Sequence, residues 1–266
     1  MNEFWEDRAK KYGHTGWGDV VIYAYDQQAR LLAIERILNS LTYNKSIALD
    51  FGAGVGDFSN LLSEHFAKVI SFDISDNAIK LAQKKYGMKK NIEFICNDHI
   101  EDIGIPDNKV DFILSVTVLD HILDDFELIR AVRYFETKMK CGGFLILFEY
   151  SLDYEKNRTS YQRFMKLDEW MTIFLEHNFY LYDCYNFYHP MEQPCTSYKL
   201  YRNSIKGYQE SILRILAKYG MNRIASKYLT KLASMYLEGK EDFFWKENEQ
   251  NSPLKIIVFK KAEKLC

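Results

Sequence analysis

At 266 residues, 47% hydrophobic and 27% charged, the chain is long enough for one large core and is read as a single domain spanning 1–266. Its 35 Lys+Arg against 37 Asp+Glu leave a formal charge of -2, without the positive excess that attracts nucleic acid or an anionic membrane. A small-molecule partner is therefore expected, and the charged start MNEFWEDRAK and the short apolar runs at 20–25 and 144–148 predict a cytoplasmic protein that neither crosses a membrane nor is exported.

Residues 12–19, YGHTGWGD, gather three glycines, two aromatics, a His and an Asp, and read either as a loop with a function or as an ordinary N-terminal loop packed on the core. Behind it, Leu31, Ile34, Ile37 and Leu38 share one face of an amphipathic helix over 25–38. From there strand and helix signals alternate. Strands are predicted at 46–51, 68–73, 92–96, 110–116 and 144–150, with helices at 57–65, 75–86 and 124–139 and a Gly-Gly turn before the fifth strand. Ser75 and Asp76 supply an N-cap. Strands separated by helices imply an α/β, doubly wound, mostly parallel sheet.

Further along, a helix at 167–178 and strands at 180–187 and 254–260 are predicted, with more than sixty residues between those two strands that are helical in pattern from 204 to 237. The expected organisation is an N-terminal helical leader (1–44), an α/β core (45–188 and 253–261) and a helical insert (190–252) serving as a lid. The cysteines at 96, 141, 184, 195 and 266 show no CxxC pair, which predicts reduced thiols; Cys184, His189 and Cys195 read as packing residues, and no metal is predicted.

The stretch Asp50-Phe51-Gly52-Ala53-Gly54-Val55-Gly56-Asp57 carries the chemistry: a buried strand enters a glycine turn where backbone can approach a ligand, and then a helix. Asp73 ends the next strand, placed to accept both ribose hydroxyls of a nucleoside laid across the strand ends, and Asp98, in Cys96-Asn97-Asp98-His99, can accept from an adenine amino group. The glycine spacing is G-x-G-x-G, not the G-x-G-x-x-G of a dinucleotide site. Asp50 and Asp57 flanking the turn would repel a pyrophosphate and favour the amino group and sulfonium of S-adenosylmethionine. A nicotinamide oxidoreductase is correspondingly disfavoured.

At this point the sequence resembles the class I S-adenosylmethionine-dependent methyltransferase family. The matching pieces are LDFGAGVG, VISFDIS, CNDH, FILSVTVLDHI and CGGFLILFEY, over roughly residues 45–150. The resemblance implies a Rossmann-like seven-stranded sheet with an antiparallel last strand, and cofactor contacts at Asp50, Gly52, Ala53, Gly54, Gly56, Asp73, Ile74, Asp98, His99 and Ser115. FWEDRAKKYGHTGWGD with YAYDQ also looks like the leader of a bacterial, generically described subgroup of that family.

His121, just past the fourth strand, is the candidate general base, with His14 the competing base. Tyr12, His14, Trp17 and Tyr25 are the expected substrate-side residues, their rings able to face a cation. Glu149 either binds a polar substrate group or is a solvated rim carboxylate. Ser115-Val116-Thr117-Val118 lacks the D/N-P-P-Y turn of exocyclic-amine nucleic-acid enzymes and the Pro-Cys of cytosine enzymes; Pro194-Cys195 lies too far downstream to supply it. Glu149-Tyr150-Ser151 does not provide the Asp-Asn pair of metal-dependent catechol enzymes, and Lys84-Lys85 and Lys89-Lys90 read as a solvated face. The expectation is transfer of a methyl group to a small molecule, most readily at a hydroxyl oxygen, by a monomer or homodimer. The alternative is a non-catalytic cofactor-binding or interaction module that docks a partner through Leu213, Leu216, Ala217 and Ile224 of the insert.

Overall fold

The computed structural model describes residues 2–191, 195–219, 222–246 and 252–263. Two helices lead, α1 (Asn2–Tyr12) and α2 (Val20–Ser40), and are followed by β1 (Ile47–Phe51), α3 (Asp57–His65), β2 (Lys68–Asp73), α4 (Asp76–Tyr86) and β3 (Ile92–Cys96). Then come β4 (Val110–Val116), a short 3-10 turn (Leu119–His121), α5 (Asp125–Lys138), β5 (Met139–Tyr150), α6 (Leu167–Leu175) and β6 (Phe179–Phe187). The insert forms α7 (Thr196–Ser204), α8 (Tyr208–Lys218) and α9 (Asn222–Leu237), and β7 (Phe244–Lys246) and β8 (Leu254–Lys261) close the fold.

The sheet order is β3-β2-β1-β4-β5-β8-β6-β7. The first five strands pair in parallel, while β8 is antiparallel to both β5 and β6. The order reverses between β1 and β4, and open α/β sheets bind ligands at the carboxyl ends of strands beside such a reversal. Period-2 alternation splits the core: Phe112 and Leu114 join α2, α3 and α9 on one face, and Ile113 joins α5 and α6 on the other. Each such fully buried large apolar side chain contributes on the order of 1.5–3 kcal/mol.

The structure differs from the sequence expectation at several points. Eight strands stand where seven were expected, because β7 is three residues long and too short to show a period. The second helix begins at Val20, not 25, since Asp19 caps it by accepting from the backbone N–H of Val21 and Ile22. The sixth helix ends at Leu175, before the expected 178, and Asn178 takes a left-handed φ of 61°. The Gly-Gly turn lies inside β5, where Gly142 (φ +72°) accompanies a register shift against β4.

No described residue of α7–α9 lines the cavity, and Leu229, Ala233 and Leu237 of α9 share a core with Ala29 and Ala33 of α2. Leu213 and Leu216 point into that core while Ile224 is exposed, so the expected docking stripe is divided; the side chain of Ala217 lies outside the described residues. Cys141 is disulfide-bonded, correcting the expectation of reduced thiols throughout, because chain spacing does not show which thiols a fold brings together. Pro194 and Cys266 lie outside the described residues. Among the described residues no helix is long and apolar enough to cross a membrane, and no His/Cys/Asp/Glu group could hold a metal ion.

Candidate active site

A cavity of about 430 Å³ opens at the carboxyl ends of β1 and β4. Its floor is the glycine loop, folded against the end of β2 by hydrogen bonds from the N–H groups of Gly52 and Ala53 to the Phe72 carbonyl, both 2.8 Å. Gly52 has φ +76°, and a Cβ there would lie 2.8 Å from Val118 Cγ1; Gly54 has φ +53°, and a Cβ would lie 2.6 Å from Thr15 Oγ1. Both positions therefore need glycine for dihedral and for space.

Asp73 borders the same floor, 7% exposed, with Oδ2 accepting from Gly54 N–H at 2.7 Å and Oδ1 from Ser75 N–H at 2.8 Å. Burial pushes its carboxyl above the usual range, and the two N–H donors oppose that shift. Each oxygen keeps lone pairs for further donors, as a ribose diol supplies. The bare backbone and this anchored carboxylate fit the nucleoside end of S-adenosylmethionine. Asp57, also on the wall at the start of α3, accepts from the Tyr86 hydroxyl at 2.5 Å and pairs with the Lys85 ammonium.

The second wall is the chain after β4. Thr117 holds φ +51°, a strained conformation for a β-branched residue, and donates its N–H to the Phe148 carbonyl at 2.7 Å. Glu149 lies beneath this turn, fully buried, correcting the expectation of a rim or substrate carboxylate: Oε1 accepts from the N–H of Val118 and Leu119 at 3.0 and 2.9 Å. Desolvation, then the neighbouring Asp120 charge, raise its carboxyl well above the usual value. A strand-end carboxylate that satisfies the successive N–H groups of Val118, Leu119 and, at 3.4 Å, Asp120 looks the same in sequence as an exposed one.

His121 faces the cavity from this turn. Its Nδ1 lies 2.7 Å from the Tyr161 carbonyl, which can only accept, so Nδ1 carries the proton, while Nε2 stands 3.5 Å from the buried Asp120 Oδ1; the ring also meets Trp5 edge-on at 4.8 Å.

The leader provides the third wall. The carboxylate of Glu6 in α1 accepts from Asp76 N–H at 2.5 Å and from Asn77, capping α4 from outside. Arg8 donates to the Thr15 and Gly16 carbonyls, and Phe4 stacks on Tyr161 at 5.6 Å. Trp17 reaches the wall and donates Nε1–H to Asp26 Oδ2 at 2.9 Å; Arg30 Nε binds the same oxygen at 2.7 Å.

The structure brings Gly52, Ala53, Gly54, Asp73, Ile74, Trp17 and His121 together around one cavity. The other expected residues do not line it. Asp50 points behind the loop, accepts from Ser59 Oγ at 2.5 Å, and is pushed up by burial to about 7. Gly56 caps α3 against Ala82, and Ser115 is buried behind Glu149. Asp98 and His99 are exposed in the turn after β3, which Asn97 Oδ1 closes by accepting from His99 N–H. Tyr12 packs over Gly18, and the Tyr25 hydroxyl is 2.6 Å from Ser197 Oγ in the α2–α7 core. His14 stacks on Tyr23 at 3.5 Å, its pKa lowered to about 4 by burial and then Arg8, so it is a neutral packing ring set back from the cavity. Sequence reasoning missed Asp26, Arg30, Thr117 and Tyr161; only the position of Thr117, just past the end of β4, offered a signal.

Residues 49–147 match a family model described as a methyltransferase domain. Phosphoethanolamine N-methyltransferase 1 of Arabidopsis thaliana is 32% identical over 111 residues, 40% of this chain and 22% of that protein. Phosphoethanolamine N-methyltransferase of Triticum aestivum is 28% identical over 156 residues, 56% and 29% respectively, so the chain spans about a quarter of the length of these curated relatives. Among solved structures, Haemonchus contortus phosphoethanolamine N-methyltransferase 2 with S-adenosyl-L-methionine aligns with a TM-score of 0.60 at 17% identity, covering 97% of this chain and 60% of that one. A [4+2]-cyclase, SpnF, aligns with a TM-score of 0.54 at 16% identity, covering 86% and 81%. One fold thus carries proteins of differently named activity, and the reaction has to be argued from the site.

Proposed function

We propose that this chain, which carries a class I S-adenosylmethionine-dependent methyltransferase domain, methylates a hydroxyl oxygen of a small molecule held in the 430 Å³ cavity. The observation that carries the reading is His121, whose Nδ1–H is committed to the Tyr161 carbonyl while the ring borders the cavity. A neutral hydroxyl is a poor nucleophile, and a positioned base typically contributes ~10²–10⁴-fold. When bound, S-adenosylmethionine supplies an electrophilic methyl group on a sulfonium.

The chain's own residues do the rest. Asp73 holds the ribose hydroxyls, and the glycine loop lets the nucleoside lie against bare backbone. His121 Nε2 takes the hydroxyl proton as the oxygen becomes the nucleophile. Phe4 and Trp5 of α1, with Tyr161, border that side of the cavity. Holding the reacting groups in line is worth up to ~7–11 kcal/mol of barrier. In this reading the chain is one folding unit, with residues 1–44 covering the site and α7–α9 buttressing α2 from behind.

A nitrogen acceptor is the second reading, favoured by the names of the curated relatives, phosphoethanolamine N-methyltransferases. Incubation with methyl-¹³C cofactor and metabolite pools separates the two, because methoxy and N-methyl carbons resonate apart. A methoxy product, cut ~10²–10⁴-fold in kcat by His121→Asn with S-adenosylhomocysteine binding unchanged, supports the hydroxyl reading. An N-methyl product replaces it, and tight cofactor binding with no methylated product overturns both.

A further inference from the structure

The α2 wall of the cavity carries a buried ion pair to which the nucleoside contacts at Asp73 and the glycine loop assign no role. Asp26 and Arg30 are 4% and 6% exposed, and both border the cavity. Asp26 places all its described hydrogen bonds on Oδ2, from Trp17 Nε1 at 2.9 Å and Arg30 Nε at 2.7 Å; Oδ1 is buried with no partner among the described residues. An orphaned buried acceptor costs about 1–3 kcal/mol, more when charged. Arg30 is held by its face, its Cζ 4.7 Å over the Phe148 ring, and commits only Nε to the pair. Among the described residues, an acceptor without a donor and a guanidinium that commits one donor therefore stand side by side, their charges cancelled.

The geometry points to a substrate-anchoring subsite at Asp26, Arg30 and Trp17 that takes a neutral hydroxyl of the acceptor. A hydroxyl donates to Asp26 Oδ1 and accepts from Arg30 at once, meeting both needs without adding charge. An anion gains nothing from Arg30 that Asp26 does not take back, and an ammonium meets the reverse problem. This subsite rests on the methyl-transfer reading of the cavity. Since it stands on the α2 wall and His121 on the wall after β4, the acceptor carries a second hydroxyl besides the one methylated.

Trp17 is a built-in reporter, because its indole N–H donates to the carboxylate that the hydroxyl would engage. Protein saturated with S-adenosylhomocysteine is titrated with benzyl alcohol, benzylamine and inorganic phosphate while the Trp17 indole ¹H–¹⁵N resonance, identified with Trp17→Phe, is followed. Benzyl alcohol should shift it most, and Asp26→Asn should weaken that binding about tenfold. A larger response to benzylamine or phosphate, or none to any probe, overturns the subsite. If Asp26→Asn does not fold, the ranking of the three probes on the wild type decides. Failure of S-adenosylhomocysteine itself to bind is a different result, which removes the methyl-transfer reading instead.

Discussion

Replacing Gly52 with alanine tests whether the glycine floor is held by conformation, by space, or by both. At φ +76° an alanine pays about 1–2 kcal/mol for the left-handed backbone. Its Cβ also overlaps both methyls of Val118, and overpacking of that kind costs about 1–3 kcal/mol because a β-branched side chain has few rotamers to escape into. The sum, about 2–5 kcal/mol, corresponds to a fall in melting temperature of roughly 4–20 °C for a domain of this size. Val118→Ala removes the overlap but not the backbone strain. The double variant should therefore be about 1–3 kcal/mol more stable than the two single effects predict by addition. Denaturant melts of the four proteins measure that coupling, and calorimetry with S-adenosylhomocysteine should show affinity lost in Gly52→Ala and partly recovered in the pair. Additive stabilities, or a Gly52→Ala protein as stable as wild type, would refute the packing argument.

Asp73→Asn should weaken S-adenosylmethionine and S-adenosylhomocysteine alike by roughly 10–150-fold in calorimetry, the worth of hydrogen bonds to a charged group, while NAD binds neither protein. Glu149 is raised well above its usual 4.5, so the folded state holds its proton more tightly than the unfolded state does. Stability from this group is thus greatest at low pH and falls as pH rises above about 4.5. Glu149→Gln should fold and flatten that slope in melts taken from pH 5 to 8, whereas Glu149→Ala, which strands the Val118 and Leu119 N–H groups, should cost about 2–6 kcal/mol near pH 5 and less as pH rises. Thr117→Gly relieves the φ of +51° and should cost little or stabilise by up to about 1 kcal/mol in denaturant melts, against the usual loss for a glycine substitution.

The parts of the site legible in the sequence are those where local chemistry and position coincide. Gly52, Gly54 and Asp73 are named by the strand–turn–helix rhythm, because the dihedrals and the strand end that make them useful are set within a few residues. Asp50 shares that motif yet faces Ser59, since alternation along β1 sends it behind the loop. Asp26 and Arg30 are an i,i+4 pair with no sequence mark of burial, and they become a buried pair only when α2 packs against the sheet face carrying Phe148 and Phe187. Glu6 carries no capping signature because it caps a helix some seventy residues away. The insert's helices were legible from periodicity, but the side they cover was not, since Leu213 and Leu229 say only that some face is apolar.

The place of β8 bears on how the molecule assembles. It lies between β5 and β6 with both faces covered, and it pairs along Phe144–Tyr150 on one side and Phe179–Phe187 on the other. During synthesis the ribosome delivers β5 and β6 long before the strand that joins them. The nascent half-sheet therefore waits with the open edge of β5 exposed, and such an edge is a template for foreign strands. The α2–α9 packing meets the same delay, as it joins elements at opposite ends of the order of synthesis. A topology this non-local closes its loops late and folds slowly. The chain's exposure to aggregation is thus set less by its finished surface than by the interval before Leu254–Lys261 arrives.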